Sequence, residues 1–173
     1  MKKLFVLSFL LLTALSSCWP SSVSFVDGTL DPCIRLFSMS VLENNAPNAP
    51  ISYPTELTEA VKSGIQNNTR LLITDEANNP QVIIEGAVTN YLITPVVLQE
   101  GDNSLKNRLT ISAQFKIYMT CEAEEIDEEM TLTSTRFVDY DSSQDISSIE
   151  TQLLSDINAQ IVQDVINKLL SNW

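Results

Sequence analysis

From Arg108 to Cys121 apolar and polar side chains alternate without a break. Leu109, Ile111, Ala113, Phe115, Ile117, Met119 and Cys121 take the odd positions, and Arg108, Thr110, Ser112, Gln114, Lys116, Tyr118 and Thr120 the even ones. Successive side chains of a strand point to opposite faces, so this stretch predicts a long strand with one dry face and one wet or partner-facing face. A lone strand cannot bury such a face, and the rest of the chain must supply neighbours and a covering layer.

Two amphipathic stretches supply the cover. Ser52, Pro54 and Glu56 open a helix whose stripe is Leu57, Ala60, Val61, Gly64 and Ile65 and which ends near Asn67-Asn68. A second helix runs from about Ser143 to Leu170, striped by Ile149, Leu153, Ile157, Ile161, Val165 and Leu169, with Ser142-x-x-Asp145 resembling a capping box. The remaining strands are expected at Ile34–Val41, Leu71–Ile73, Gln81–Val97 and Met130–Asp139. In the third of these, Val82, Ile84, Val88 and Leu92 share a parity, and Gly86 marks a bulge or a close helix approach. Gln99–Asn107 and the acidic Glu122–Glu129 read as turns flanking the long strand. The order β-α-β-β-β-α predicts an α+β two-layer sandwich, with two helices packed on one face of a mainly antiparallel sheet of about four strands.

The first residues change the picture. Met1–Lys3 is positive and Leu4–Leu12 apolar, too short to span a bilayer, which takes about 20 apolar residues. Leu15-Ser16-Ser17-Cys18 then resembles a bacterial lipobox, in which the cysteine is acylated and the leader is cut before it. Lipidation of Cys18 would anchor the chain through two or three acyl chains, at about 0.8 kcal/mol per buried methylene. No acidic residue directly follows Cys18 in Trp19-Pro20-Ser21-Ser22, which favours the periplasmic side of the outer membrane over inner-membrane retention. The organisation is thus a signal peptide over 1–17, a lipidated flexible tether over 18–32 and a single domain over 33–173.

Charge and composition narrow the chemistry. The chain of 173 residues carries a net charge of −12, and loss of Lys2 and Lys3 with the leader would leave 8 basic against 22 acidic side chains. Such a surface repels nucleic acid and anionic membranes at long range. Without histidine there is no Ser-His-Asp or Cys-His catalysis and no usual zinc site. No catalytic residue, metal ligand or cofactor is expected beyond the lipid on Cys18. Glu122–Glu129 lacks the glycine and the alternating spacing of a calcium loop and reads as a solvated turn. Cys33 and Cys121 would stand about two strand spacings apart, beyond the roughly 7 Å reach between Cα atoms, which argues against a disulfide.

Taken together, the lipobox, Asn107-Arg108-Leu109-Thr110-Ile111, Arg136-Phe137, Asp139 to Asp145 and the helix ending Ile166-Asn167-Lys168-Leu169-Leu170-Ser171-Asn172-Trp173 resemble the LptE lipopolysaccharide-assembly lipoproteins. Cys33 stands where that pattern has a plain strand residue. The resemblance implies two helices on a four-stranded sheet, no enzymatic activity, and a place inside the LptD outer-membrane β-barrel as plug and assembly partner in lipopolysaccharide transport. It also implies, for some members, affinity for lipopolysaccharide itself.

The candidate contact residues follow from the even face of the long strand. Thr110, Ser112, Gln114, Lys116 and Tyr118 can exchange hydrogen bonds with a polar barrel wall while burying little charge; plain solvation is the alternative. Lys106, Arg108 and Lys116 share a parity and, with Arg136, are candidates for lipid phosphate contacts; dispersed surface charge is the alternative. A different class of function, an auxiliary lipoprotein of another envelope transport system, would use the same sheet on a soluble or inner-membrane partner.

Overall fold

The computed structural model describes residues 30–96 and 105–171. The leader, Cys18, most of the expected tether and Trp173 lie outside the described residues, as does most of the expected turn at 99–107. Strands β1 (Leu36–Met39) and β2 (Glu43–Asn44) precede helix α1 (Tyr53–Asn68). Strands β3 (Leu72–Ile73), β4 (Val82–Val96), β5 (Lys106–Cys121) and β6 (Ile126–Asp141) follow, and helix α2 (Ile146–Leu170) closes the order. The α+β two-layer architecture is as expected, but the sheet is mixed and has six strands. Its order is β3-β1-β4-β5-β6, and β2 continues the line of β1 along β4. β1 pairs in parallel with both β3 and β4, because α1 carries the chain back between β1 and β3; β4, β5 and β6 are antiparallel.

The core lies between the odd face of β5 and the helices. Leu109, Ile111, Ala113, Phe115, Ile117 and Met119 are fully buried. Burying a large apolar side chain in this way stabilises by about 1.5–3 kcal/mol, so the sidedness of β5 is strongly specified. Leu57, Val61 and Ile65 cover it from α1, and Leu153, Ile157, Ile161, Val165 and Leu169 from α2. Pro54 sits in the first turn of α1, where its missing N–H costs nothing. At the other end the Thr69 N–H and hydroxyl both donate to the Ile65 carbonyl. The helices touch at Gly64, where a Cβ would collide with Val162. Tyr53 and Tyr91 meet edge to face at 6.2 Å, and their hydroxyls donate to Asn158 (2.9 Å) and Glu150 (2.5 Å) of α2. Burial raises both phenol pKa values, with Glu56 adding at Tyr53 and the Glu150 hydrogen bond at Tyr91.

Several local expectations change. β5 and β6 pair through sixteen consecutive positions, from Lys106↔Asp141 to Cys121↔Ile126, so the turn shrinks to Glu122–Glu125 and β6 begins four residues before Met130. Glu125 supplies the left-handed residue of that turn, with φ 55. The acidic stretch is therefore mostly strand, because pairing to β5 outweighs its low strand propensity. Helix α2 starts three residues later than expected, since Asp145 itself is the N-cap and accepts the Ser147 N–H at 3.1 Å. The bulge in β4 is at Thr89, between Val88 and Asn90, and not at Gly86. That extra residue reverses the parity of all that follows: Tyr91 is buried and Leu92 turns to the opposite face. Nor does a helix approach Gly86: the Leu42 side chain and the Gln114 carbonyl fill the space of a Cβ there.

The two cysteines, expected to stand too far apart for a bond, are in reach of each other. Cys33 and Cys121 are bonded, with Cα atoms 6.4 Å apart and a sequence separation of 88. The two-spacing estimate fails because Cys33 is not in a strand. β1 begins at Leu36, and β4, the column that would separate the two cysteines, begins only at Val82. Thr120 still donates its N–H to Gln81, at 2.8 Å, and Cys121 lies one step past that bond. Cys33 crosses where there is no strand between them. Leu30, in the expected tether, is buried in the core nearby.

Replacing both cysteines, Cys33→Ser with Cys121→Ser, removes a long cross-link and should lower unfolding free energy by about 2–4 kcal/mol. Urea melts of the oxidised protein, the reduced protein and the double variant check this. Reduction should weaken the wild type to the level of the variant and leave the variant unchanged.

Candidate functional site

The even side chains of β5 stand on the face away from the helices, and the register fixes their neighbours. The rows across this face are Thr94–Arg108–Asp139, Leu92–Thr110–Phe137, Asn90–Ser112–Thr135, Ala87–Gln114–Thr133, Glu85–Lys116–Thr131 and Ile83–Tyr118–Glu129. Thr110, Ser112 and Tyr118 are half-buried by their neighbours, and Gln114 and Lys116 are exposed. The five expected contact residues thus lie on one face, and no described helix covers them. Its middle is made of hydroxyls and amides, with Ser112 and Thr135 sharing a hydrogen bond of 2.9 Å. Leu92 and Phe137, 45% and 48% exposed, add an apolar pair on either side of Thr110. Phe137 was legible as an odd residue of a strand whose core residues are even; Leu92 was hidden by the bulge.

The cationic group comes apart. Arg108 makes two bonds to Asp139, 2.6 and 2.9 Å, and its guanidinium lies 3.8 Å from the centre of the Phe137 ring. The Arg108 hydrogen bond holds the Asp139 carboxyl below the usual carboxylate range, with Lys106 adding to it. Lys116 is exposed and eight residues along from Arg108, about 27 Å on a strand. Lys106 and Arg108 therefore form one local group and Lys116 stands apart from it.

Arg136 does not belong to this face. It pairs with Ile111 in register and so points to the helix side, where its Nε donates to Asp164 of α2 at 2.8 Å and a second nitrogen bonds the other carboxylate oxygen. Ser134 donates to the same carboxylate at 2.5 Å. The reason was in the pattern: Arg136 has the parity of Met130, Leu132 and Val138. Burial pushes the Asp164 carboxyl up, but the Arg136 and Ser134 hydrogen bonds outweigh it, and its pKa falls below the usual range. Arg136 pins α2 to β6.

Among the described residues, no group of three His, Cys, Asp or Glu side chains is placed to hold a metal ion, and no helix is long and apolar enough to cross a membrane. A groove of about 910 Å³ beside the disulfide is lined by Glu76, Glu122, Glu125 and Asp127 with no basic side chain among its lining residues.

Comparison with known proteins adds to this geometry. The family model LptE, described as lipopolysaccharide-assembly, matches residues 37–169. Among solved structures, lipoprotein B from Nitrosomonas europaea is 14% identical, with a TM-score of 0.53 over 87% of this chain and 90% of that one. A minor lipoprotein from Acinetobacter baumannii is 17% identical, with a TM-score of 0.47 over 80% and 92%. The first likeness is one of fold alone, and the second carries no argument. No curated protein matches the sequence.

The Asp164 cluster predicts a pH dependence. A carboxyl whose pKa is lower folded than unfolded contributes stability above its unfolded value, near 3.9, and loses it as pH falls through the folded value. Asp164→Asn should therefore cost on the order of 1 kcal/mol at pH 7, discounted for the partly exposed Arg136, and less at pH 2. Urea melts of both proteins at the two pH values measure it.

Proposed function

The chain belongs to the LptE lipopolysaccharide-assembly family, and from that membership we propose that it is an outer-membrane lipoprotein that docks in the LptD barrel. The family is one of lipopolysaccharide-assembly lipoproteins and is not enzymatic. In this reading Cys18 carries the lipid and holds the domain at the periplasmic side of the outer membrane. The uncovered face of β4, β5 and β6 meets the barrel wall, and the protein serves as plug and assembly partner in lipopolysaccharide transport.

The observation that carries the reading is the composition of that face. Thr110, Ser112, Gln114, Thr131, Thr133 and Thr135 present hydroxyls and an amide, and the Arg108 charge is already met by Asp139. A polar wall can exchange hydrogen bonds with such a surface without stranding charges, while Leu92, Phe137 and Tyr118 supply the apolar and aromatic contacts that interfaces favour. Lys106 and Arg108 form the group on this face best suited to a lipid phosphate. Arg136, committed to Asp164, is left out of that role.

A photo-crosslinking residue at Gln114 of the lipidated protein should capture a large outer-membrane barrel protein, identifiable as LptD by mass. Cys18→Ser should release the chain from the membrane fraction. Recovery of no barrel, or fractionation of the wild type with the inner membrane, would sink the reading and favour an auxiliary of another envelope transporter.

A further inference from the structure

The two edges of the sheet are unlike. β3 closes one edge with two residues, whereas β6 forms the other with sixteen, and no described strand pairs with its outer side. Natural sheets blunt a long edge with charged side chains, proline, a bulge or a cover. β6 carries charges towards its ends and at Arg136, but from Met130 to Thr135 it has no charge, proline or glycine, and its pairing to β5 runs without a register shift.

The direction of its backbone groups follows from two bonds. Thr120 donates its N–H to Gln81, so the even residues of β5 turn their backbone groups to β4 and the odd ones to β6. Residues opposite one another in an antiparallel pair exchange both bonds or neither. The even residues of β6 therefore bond β5, and the Ser142 N–H on Leu105 O, at 3.0 Å, keeps that phase at the far end. The odd residues from Asp127 to Asp139 direct N–H and C=O to the open edge. Their side chains, with Thr131, Thr133 and Thr135 at the centre, stand on the face already assigned to docking.

We propose that β6 takes on an added strand, an extended segment of a protein partner with a basic side chain opposite Asp127 and Glu129. The backbone supplies the affinity, and alternate side chains supply the specificity. Asp127 and Glu129 are exposed at one end and have no ion-pair partner among the described residues; the threonine centre is uncharged. On the helix side a groove of about 450 Å³ between β6 and α2, lined by Leu132, Ser134, Asn167, Lys168 and the Arg136–Asp164 pair, faces the inward side chains of the arriving strand. A second copy of this chain fits poorly. In the two-fold register that pairs the odd residues from Asp127 to Asp141, Asp127 meets Asp141, like charge against like.

The inference rests on the proposed docking and is separable from it. Full-length membrane-bound protein carries a photo-crosslinker at Thr133, on the edge, or at Gln114, on the open face. Both should capture the same partner, and the peptide joined to Thr133 should be an extended stretch with lysine or arginine. Thr133→Pro removes an outward N–H from an edge strand without touching the β5 bonds. It should cut co-purified partner at least tenfold, and at least fivefold more than Thr133→Ala, which loses the hydroxyl but keeps the N–H. Amide exchange reads the same edge without substitution: the amides of Thr131, Thr133 and Thr135 should exchange quickly in the free protein and at least tenfold more slowly in the complex. Capture only of a second copy at Thr133, full retention of partner by Thr133→Pro, or unprotected odd amides in the complex would each overturn strand addition. With Gln114 still capturing the barrel, the docking reading survives those results; silence at both positions ends both.

Discussion

The strict two-residue alternation of β5 governs the rest. β5 lies between two antiparallel neighbours and cannot rotate one side chain without rotating all of them. Its odd residues from Leu109 to Met119 are apolar and fully buried, which forces both helices to that side. Once the helices are there, the hydroxyls and amides of the even side have no cover within the described domain. The face that would meet a partner is thus a consequence of the core. A slip of one residue would expose Phe115 and Ile117 and bury Lys116 and Arg108, a change no local contact could offset.

This is also why so much was legible. Periodicity needs no partner to be read, so β5, the stripes of both helices and the shared face of Thr110, Ser112, Gln114, Lys116 and Tyr118 were all in the sequence. The features that escaped depend on where strands end or slip. The Cys33–Cys121 bond required knowing that β4 starts only at Val82, and Leu92 required knowing that Thr89 is an extra residue. Glu122–Glu129 looked like a turn because acidic residues disfavour strands, yet the ladder from Lys106 to Cys121 draws Ile126 to Glu129 into register. Arg136 is a different failure. Its parity matched Met130 and Leu132, and only its charge suggested the outer face. A guanidinium can sit on a core-side row at the rim, where a helix carboxylate such as Asp164 is in reach.

The acidic balance of the chain has a consistent spatial form. Two of the three arginines in the described domain's ion pairs and hydrogen bonds, Arg108 and Arg136, are each held by a carboxylate, and Arg35 donates to the Pro32 carbonyl. The acidic excess collects instead at the Glu122–Glu125 turn and the start of β6. The centre of the open face is left nearly free of net charge. Long-range attraction of anions is weak for such a molecule, so any phosphate contact at Lys106 or Arg108 depends on short range and on something else bringing the lipid close.

The open face and the open edge are one surface. In an antiparallel sheet a residue's side chain and its backbone groups are set by the same phase, so the odd residues of β6 could not have been given outward threonines without also turning their amides to the edge. β5, with strands on both sides, offers a partner side chains alone, while β6 offers side chains and backbone together. A partner that reads only the face gains hydrogen bonds from hydroxyls whose geometry is loose and which water satisfies almost as well. One that also adds a strand gains bonds whose spacing is fixed by the chain and whose register is set by the alternation of Thr131, Thr133 and Thr135. Specific docking on so polar a surface is easier to account for with the edge than without it. The disulfide ties the segment before β1 to the end of β5, a four-residue turn away from the start of β6.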